Sequence, residues 1–335
     1  MKKNNITTDN QPIGLIAFTT SWTHGLKSVI AGLFFVALTI GFLSGCAHLG
    51  VASSSSTPLV KHVFIVSFDQ GNPDLIQRSE MPTFHAMAAN GARTWNAYTV
   101  VPSLTLPSHT SMLTGVGPQA HQVLWNDYQP EKGLVQVPTI FSLAKQHGLV
   151  TAMFVGKEKF EHLLLPGSVD AFVWPEGEED AQSVAKAIAE RVGKLKPNLC
   201  FIHFRDPDTA GHKYGAYSPE KIQALADSDA ALKIVEDAIA SAGMADSSVT
   251  ILTADHGSHD IKDKNGKIVG THGSAETVDV KIPWVAWGKG VKKNYTILAP
   301  VVQYDTAATA LWLLGVPVPE YFWGRPVTSA FESTP

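Results

Sequence analysis

Thr105 lies in the stretch Val101-Pro-Ser-Leu-Thr-Leu-Pro-Ser-His-Thr-Ser-Met-Leu-Thr-Gly115, a hydroxyl just ahead of an expected helix whose early residues include Pro107. Proline is comfortable in a first helical turn, and the free N–H groups there, with the positive end of the macrodipole, favour an anion beside them. A threonine alkoxide or a phosphoryl oxygen would be such an anion. The commonest role of a threonine here is a plain helix cap, so the reading depends on what elsewhere could activate the hydroxyl. Three apolar runs end in acids: Asp69 closes Lys61-His-Val-Phe-Ile-Val-Ser-Phe-Asp69, Asp206 and Asp208 follow Asn198 to Phe204, and Asp255 follows Ser248 to Ala254. Histidines stand beside them, in Asp208-Thr-Ala-Gly-His212, in Asp255-His256 and in Gly-Thr-His272-Gly. Carboxylate and imidazole ligands without thiolate suit zinc in an open catalytic site, and manganese accepts the same donors. A metal of this kind turns a poor hydroxyl nucleophile into a good one.

These residues have to be positioned by a fold. The run from Lys61 to Asp69 is apolar throughout, as expected of a strand covered on both faces. Strands are also expected over 149–155, 198–204, 248–254 and 282–287, with Asn265-Gly266 turning a hairpin. Helices are expected over 82–90, 138–147, 180–196, 218–242 and 305–314; in all but the third a glycine follows the end, and Ser218-Pro219 opens the long one. Strand and helix alternate, which predicts an α/β three-layer sandwich with a mostly parallel central sheet and helices on both faces. In such sheets ligands sit beyond the carboxyl ends of strands, where the acids fall. Trp284 and Trp287 read as packing residues.

With 335 residues and 44% hydrophobic content the chain can bury a large core. Its net charge of -4 and lack of a basic cluster interleaved with aromatics exclude a nucleic-acid duplex bound through its backbone. Two cysteines, Cys46 and Cys200, exclude a disulfide framework and a cysteine-rich zinc site. Lys2, Lys3 and Lys27 precede an uncharged run from Val29 to Leu43, which as a helix would reach only about 22 Å against a hydrocarbon core of about 30 Å. That is the length of a signal-peptide apolar region. Its end, Leu43-Ser44-Gly45-Cys46-Ala47, resembles the lipobox of bacterial lipoproteins. Residues 1–45 are thus expected to be a lipoprotein-type signal peptide, 46–58 a serine-rich flexible tether and 59–335 the catalytic domain. The resemblance implies a protein exported and attached to the membrane through lipidated Cys46, with the outer membrane facing the periplasm as its place.

Taken together, Phe68-Asp69, Thr105-Leu-Pro-Ser-His109, Thr114-Gly115, Pro118 with His121, Pro207-Asp208 with Gly211-His212, Asp255-His256-Gly257 and Thr271-His272-Gly273 resemble the alkaline phosphatase superfamily. They most resemble its type I phosphodiesterase/nucleotide pyrophosphatase family, over roughly residues 60–330. The resemblance implies two divalent metal ions, one held by Asp208, His212 and His272 and the other by Asp69, Asp255, His256 and the Thr105 oxygen. It also implies a phospho-threonine intermediate at Thr105, and an Asn126 that donates to a non-bridging phosphoryl oxygen. His109 and His121 match positions that are not ligands. Ser108 stands where the family more often has asparagine, and Gln122 where it has glycine.

The frame from Thr105 to His109 lacks the arginine and the Cys or Ser that sulfatases need. Phosphoethanolamine transferases share the threonine but resemble chains with several membrane helices. An asparagine in place of a dianion-gripping arginine suits a phosphodiester monoanion, so the expected activity is on phosphodiester or pyrophosphate bonds of a small phosphorylated substrate such as a nucleotide. Phosphonoacetate hydrolase-like and phosphomonoesterase activities are the alternatives, the former because such enzymes add lysines, for which Lys157, Lys159 and Lys213 are candidates. A lipoprotein that only binds metal or phosphate is the non-enzymatic alternative. Trp125, Tyr128 and Tyr214 read as core or rim residues before they read as a stacking platform.

Overall fold

In β1 (His62–Phe68) every residue is buried, and alternate side chains serve two different cores. Val63 and Ile65 enter one apolar cluster, and Phe64, Val66 and Phe68 enter the other. A strand apolar on both faces cannot sit at a surface, so it becomes the centre of a covered sheet. The computed structural model describes residues 58–332; the expected signal peptide, Cys46 and the tether up to residue 57 lie outside the described residues.

The remaining elements follow in chain order. They are α1 (Pro73–Arg78), α2 (Pro82–Asn90), β2 (Ala92–Tyr98), α3 (Thr105–Thr114), α4 (Pro118–His121), α5 (Ile140–Gln146), β3 (Thr151–Val155) and β4 (Ala171–Val173). Then come α6 (Ala181–Leu195), β5 (Leu199–Phe204), α7 (Asp206–Tyr214), α8 (Pro219–Ser241), β6 (Ser248–Thr253), β7 (His259–Lys262) and β8 (Ile268–Thr271). Last are α9 (Thr277–Val280), β9 (Lys281–Gly288), β10 (Tyr295–Thr296) and α10 (Asp305–Leu313). Eight strands form one sheet in the order β10-β2-β9-β6-β1-β5-β3-β4, and β7 and β8 form a separate hairpin. Within the eight-stranded sheet only β9 opposes its neighbours and the other pairings are parallel, whereas β7 and β8 run antiparallel.

Residues of α3, α5 and α10 pack on one face and residues of α1, α2, α6 and α8 on the other, giving three layers as the alternation predicts. At the carboxyl end of β1, the Phe68 ring meets Phe84 and Phe204 edge-on at 5.5 Å each. Burying a ring of this size contributes on the order of 2–3 kcal/mol and fixes the point where β1 stops. Expected helix and strand boundaries agree with the observed ones within two residues. Trp284 is fully buried and its indole N–H donates to Thr306 Oγ1 at 3.0 Å, the packing role expected of it.

Leu59 and Val60 N–H groups both donate to the Leu313 carbonyl, and Glu332 N–H donates to the Gly290 carbonyl. These bonds lie at the amino edge of the parallel strands, since Val249 of β6 pairs with Gly288 and His62 with Ser248. Both ends of the described chain therefore meet at one pole, opposite the carboxyl edge where β1 delivers Asp69.

Candidate metal centre and nucleophile

Asp69 directly follows β1, its N–H continuing the ladder to the Phe204 carbonyl at 2.9 Å, and Asp255 stands two residues beyond the parallel neighbour β6. Adjacent parallel strands thus carry the two carboxylates to one edge of the sheet. Thr105 is the first residue of α3, behind Leu104 in the cap position, and the helix has no side-chain cap. The Thr105 hydroxyl is therefore free of the capping role. It is buried, with Oγ1 3.3 Å from His256 Nε2 and 3.5 Å from Lys157 Nζ.

Two clusters meet there. In one, His256 Nε2 lies 3.1 Å from Asp255 Oδ2 and 3.6 Å from Asp69 Oδ1. Asp69 Oδ1 and Asp255 Oδ2 are buried without a hydrogen-bond partner. In the other, Asp208 Oδ1 is 3.2 Å from His212 Nε2 and 3.5 Å from His272 Nε2, and the two Nε2 atoms are 3.1 Å apart. Each of the three histidines places Nδ1 on a carbonyl: His212 on Gly270 at 3.0 Å, His256 on Gly257 at 2.9 Å and His272 on Ser103 at 2.9 Å. A carbonyl only accepts, so Nδ1 carries the proton and Nε2 turns a lone pair into the cluster. Lone pairs and the two unpartnered carboxylate oxygens turned toward one another, buried at Asp69, Asp255 and His256 and open to solvent on the His212 side, call for a cation, so the residues present fit two divalent metal ions.

The electrostatics agree. Burial would raise the Asp69 and Asp208 carboxyls, yet Lys157 and the surrounding histidines hold both below the usual carboxylate range. Burial would lower His256, but Asp255, Asp69 and Asp208 push it up to about 9, so with no metal bound a proton on Nε2 takes the place of the cation to which that nitrogen would otherwise offer its lone pair. Lys157 Nζ reaches Asp69 Oδ2 at 2.6 Å and Asp208 Oδ2 at 2.7 Å, bridging the clusters as the one lysine in direct contact with both carboxylates. His203 Nε2 adds a contact of 2.9 Å to Asp69 Oδ2. His203 is one of the residues that sequence reading missed; its signal is a lone polar side chain within the apolar run of β5, in register with Ser67.

Two expectations change. Asp208 does not end a strand: the chain turns into α7 two residues after β5, and Asp208 and His212 share a face through their i, i+4 spacing. Pro207 and the acid before it were the start signals of that helix. Asp206 stands apart from both clusters and accepts the Ala181 N–H at 2.8 Å, closing the start of α6. Gln70, next to Asp69, has φ +62, a left-handed conformation that costs a residue other than glycine on the order of 1 kcal/mol.

Asn126 is half-buried at the start of α3, where its Oδ1 accepts the Leu106 N–H at 2.9 Å. The acceptor end of the amide is thereby used, leaving Nδ2 as its donor. The Lys213 ammonium lies over the Tyr214 ring at 4.8 Å, and Tyr128 O–H donates to Glu161 at 2.7 Å, so Lys213 and Tyr128 are occupied away from the clusters.

His109 and His121 are buried packing residues, as expected. His109 spans Ser67 Oγ at 2.8 Å and the Thr105 carbonyl at 2.8 Å. His121 spans Ser111 Oγ at 2.9 Å and the Val123 N–H at 3.0 Å, and burial pushes it down to about 4. An unfolded histidine takes its proton near pH 6.5, so this folded-state depression removes stability as pH falls from about 6.5 to 4, by about 3 kcal/mol at the end of that window. His121→Gln is expected to be less stable than the parent at pH 7, and the gap should narrow toward pH 4.5 in urea unfolding curves. A gap constant with pH would refute the assignment.

The strand order and the helices on both faces define an alkaline phosphatase-like fold. Murine ectonucleotide pyrophosphatase/phosphodiesterase 5, solved in complex with AMP, shares it with a TM-score of 0.69 at 17% identity, over 81% of this chain and 100% of that one. The sequence model of the type I phosphodiesterase / nucleotide pyrophosphatase family matches residues 63–302, and the chain belongs to that family, which is divalent-metal dependent. Human ectonucleotide pyrophosphatase/phosphodiesterase family member 7 is 25% identical over 264 residues, 71% of this chain and 56% of that protein. GPI ethanolamine phosphate transferase 1 of Saccharomyces cerevisiae is 23% identical over 335 residues, 84% of this chain and 35% of that protein. The chain thus spans about half, or less, of the length of these curated relatives.

Proposed function

We propose that this protein hydrolyses phosphodiester or pyrophosphate bonds of small phosphorylated molecules through a phospho-threonine intermediate at Thr105. The observation that carries the reading is a buried threonine hydroxyl, released from helix capping and 3.3 Å from His256, the imidazole that lies within metal-binding distance of both Asp69 with Asp255 and Asp208 with His272. Asp208, His212 and His272 would hold one zinc ion, and Asp69, Asp255 and His256, with Thr105, the other. Bound zinc would supply a lowered hydroxyl pKa and positive charge for the phosphoryl oxygens. Thr105 Oγ1 attacks phosphorus as the bond to the leaving alcohol or phosphate breaks. Water then cleaves the threonine–phosphorus bond, releasing the phosphoryl product and restoring the hydroxyl. Asn126 Nδ2 donates to a non-bridging oxygen as charge develops. Arg205 is engaged by Glu179, so it is not available to grip a dianion.

Bis-p-nitrophenyl phosphate should be turned over at least about tenfold faster than p-nitrophenyl phosphate, and a tenfold ratio corresponds to about 1.4 kcal/mol of transition-state preference. The rate should vanish on chelation and return with zinc. A preference for the monoester would overturn the diesterase reading. Lys157, 3.5 Å from the Thr105 hydroxyl, favours one second reading, a phosphonoacetate hydrolase-like activity in which an extra cation meets a second anionic group of the substrate. Turnover of phosphonoacetate but of neither nitrophenyl ester would select it. Membrane attachment through lipidated Cys46, outside the cytoplasm, completes the proposal. Cys46→Ser should move the protein from the membrane fraction to the soluble fraction.

A further inference from the structure

Lys221 on α8 is fully buried, and among the described residues no carboxylate lies within hydrogen-bond reach of it. Its Nζ donates to three neutral oxygens: Gln70 Oε1 at 2.7 Å, Asn72 Oδ1 at 2.9 Å and Ser258 Oγ at 2.8 Å. Gln70 in turn touches both metal clusters. Its side-chain Nε2 donates to Asp208 Oδ1 at 3.0 Å, and its backbone N–H donates to Asp255 Oδ1 at 3.0 Å. His256 N–H takes the same Asp255 oxygen at 2.9 Å, which leaves Oδ2 to face the cluster.

An amide can turn end for end at little steric cost, and only its partners decide which end points where. Asp208 accepts and Lys221 donates, so the pair admits one orientation; the reverse would set oxygen against oxygen and N–H against N–H. A deprotonated Lys221 would still keep a proton for Gln70 Oε1. Room for this amide comes from Gly211, where a Cβ would stand 1.9 Å from Gln70 Oε1. The left-handed backbone at Gln70 is held because the N–H and the side chain are both engaged.

We infer that Gln70, locked by Lys221, is a positioning residue that couples the two metal half-sites, so that both metals lose affinity together when either residue is removed. The inference rests on the two-metal reading above. Partners that orient metal ligands typically govern affinity by 10- to 100-fold. Residues acting through one another give effects that do not add.

The test strips the purified protein of metal and titrates it with zinc against a chelating dye, for the parent, Gln70→Met, Lys221→Met and the double variant. Both single variants should lose about tenfold or more in affinity for both zinc equivalents, and the double variant should be no worse than Gln70→Met. His212→Ala, as a control, should lose one equivalent and keep the other. A parent that takes up fewer than two zinc ions would refute the two-metal reading itself. Two tight equivalents in the parent with unchanged affinity in Lys221→Met, or losses that add in the double variant, would overturn the coupling alone. If Lys221→Met does not fold, Gln70→Met decides: loss at both equivalents supports the coupling, and loss at one or neither refutes it.

Discussion

Thr105→Ala is expected to lower kcat for bis-p-nitrophenyl phosphate by about 1,000-fold or more while two zinc ions stay bound. The size of the effect comes from the chemistry: among the described residues, Thr105 carries the hydroxyl that lies beside both His256 and the bridging Lys157, placed to take the phosphoryl group. Lys157, the amine 3.5 Å from the Thr105 hydroxyl, is fixed by Asp69 and Asp208 as a cation, which has no lone pair to offer. Metal retention is expected from the remaining ligands, three side chains for each ion. The helix should survive, because the Thr105 side chain does not cap it and alanine is a better helix former. Thr105→Ser, which keeps the oxygen, should recover most of the rate. Undiminished turnover by Thr105→Ala would sink the covalent mechanism whatever its metal content.

The second large effect is that of metal removal. Without metal, the site holds three buried carboxylates, those of Asp69, Asp208 and Asp255, and the Lys157 ammonium touches only the first two. Two carboxylate oxygens in it have no partner at all. Zinc present at 100 times its dissociation constant would stabilise the folded state by about 2.7 kcal/mol per site. For a domain of this size each kcal/mol moves Tm by about 2–4 °C, so chelation should lower Tm by about 5–10 °C even if only one site is filled, and abolish turnover. Scanning calorimetry before and after chelation reads both limits. An unchanged Tm would mean that the clusters hold no metal, and the unpaired oxygens would then need another explanation.

Those clusters are half visible in the sequence. The apolar run of β1, ended by Asp69, and that of β6, with Asp255 just beyond it, announce strands covered on both faces, and such strands deliver the residues at their carboxyl ends to one edge. Helices with a serine or proline at the start and a glycine at the end are equally legible. β2 is not, because Arg93 and Asn96 interrupt its apolar pattern. Helix α7 is hidden by the nearness of β5, so Asp208 looks like a strand end although its spacing from His212 is helical. Lys157 stands out no more than other lysines; nothing in the sequence says that its ammonium, rather than that of Lys159 or Lys213, reaches both carboxylates. Gln70, His203 and Lys221 lie beyond pattern reading, because their roles depend on which strands are neighbours and on an amide orientation set by two partners far apart in the chain.

The bonds from Leu59 and Val60 to Leu313, and from Glu332 to Gly290, set the two ends of the described chain at one pole. The seven residues of β1 put about 23 Å between that pole and Asp69. Chain leaving the described residues at either end therefore departs from the pole away from the catalytic edge, so a tag or support joined directly at residue 58 or 332 starts about that distance from Asp69. A bulky substrate arriving at the carboxyl edge meets a support joined there only if that support reaches back along the full length of β1.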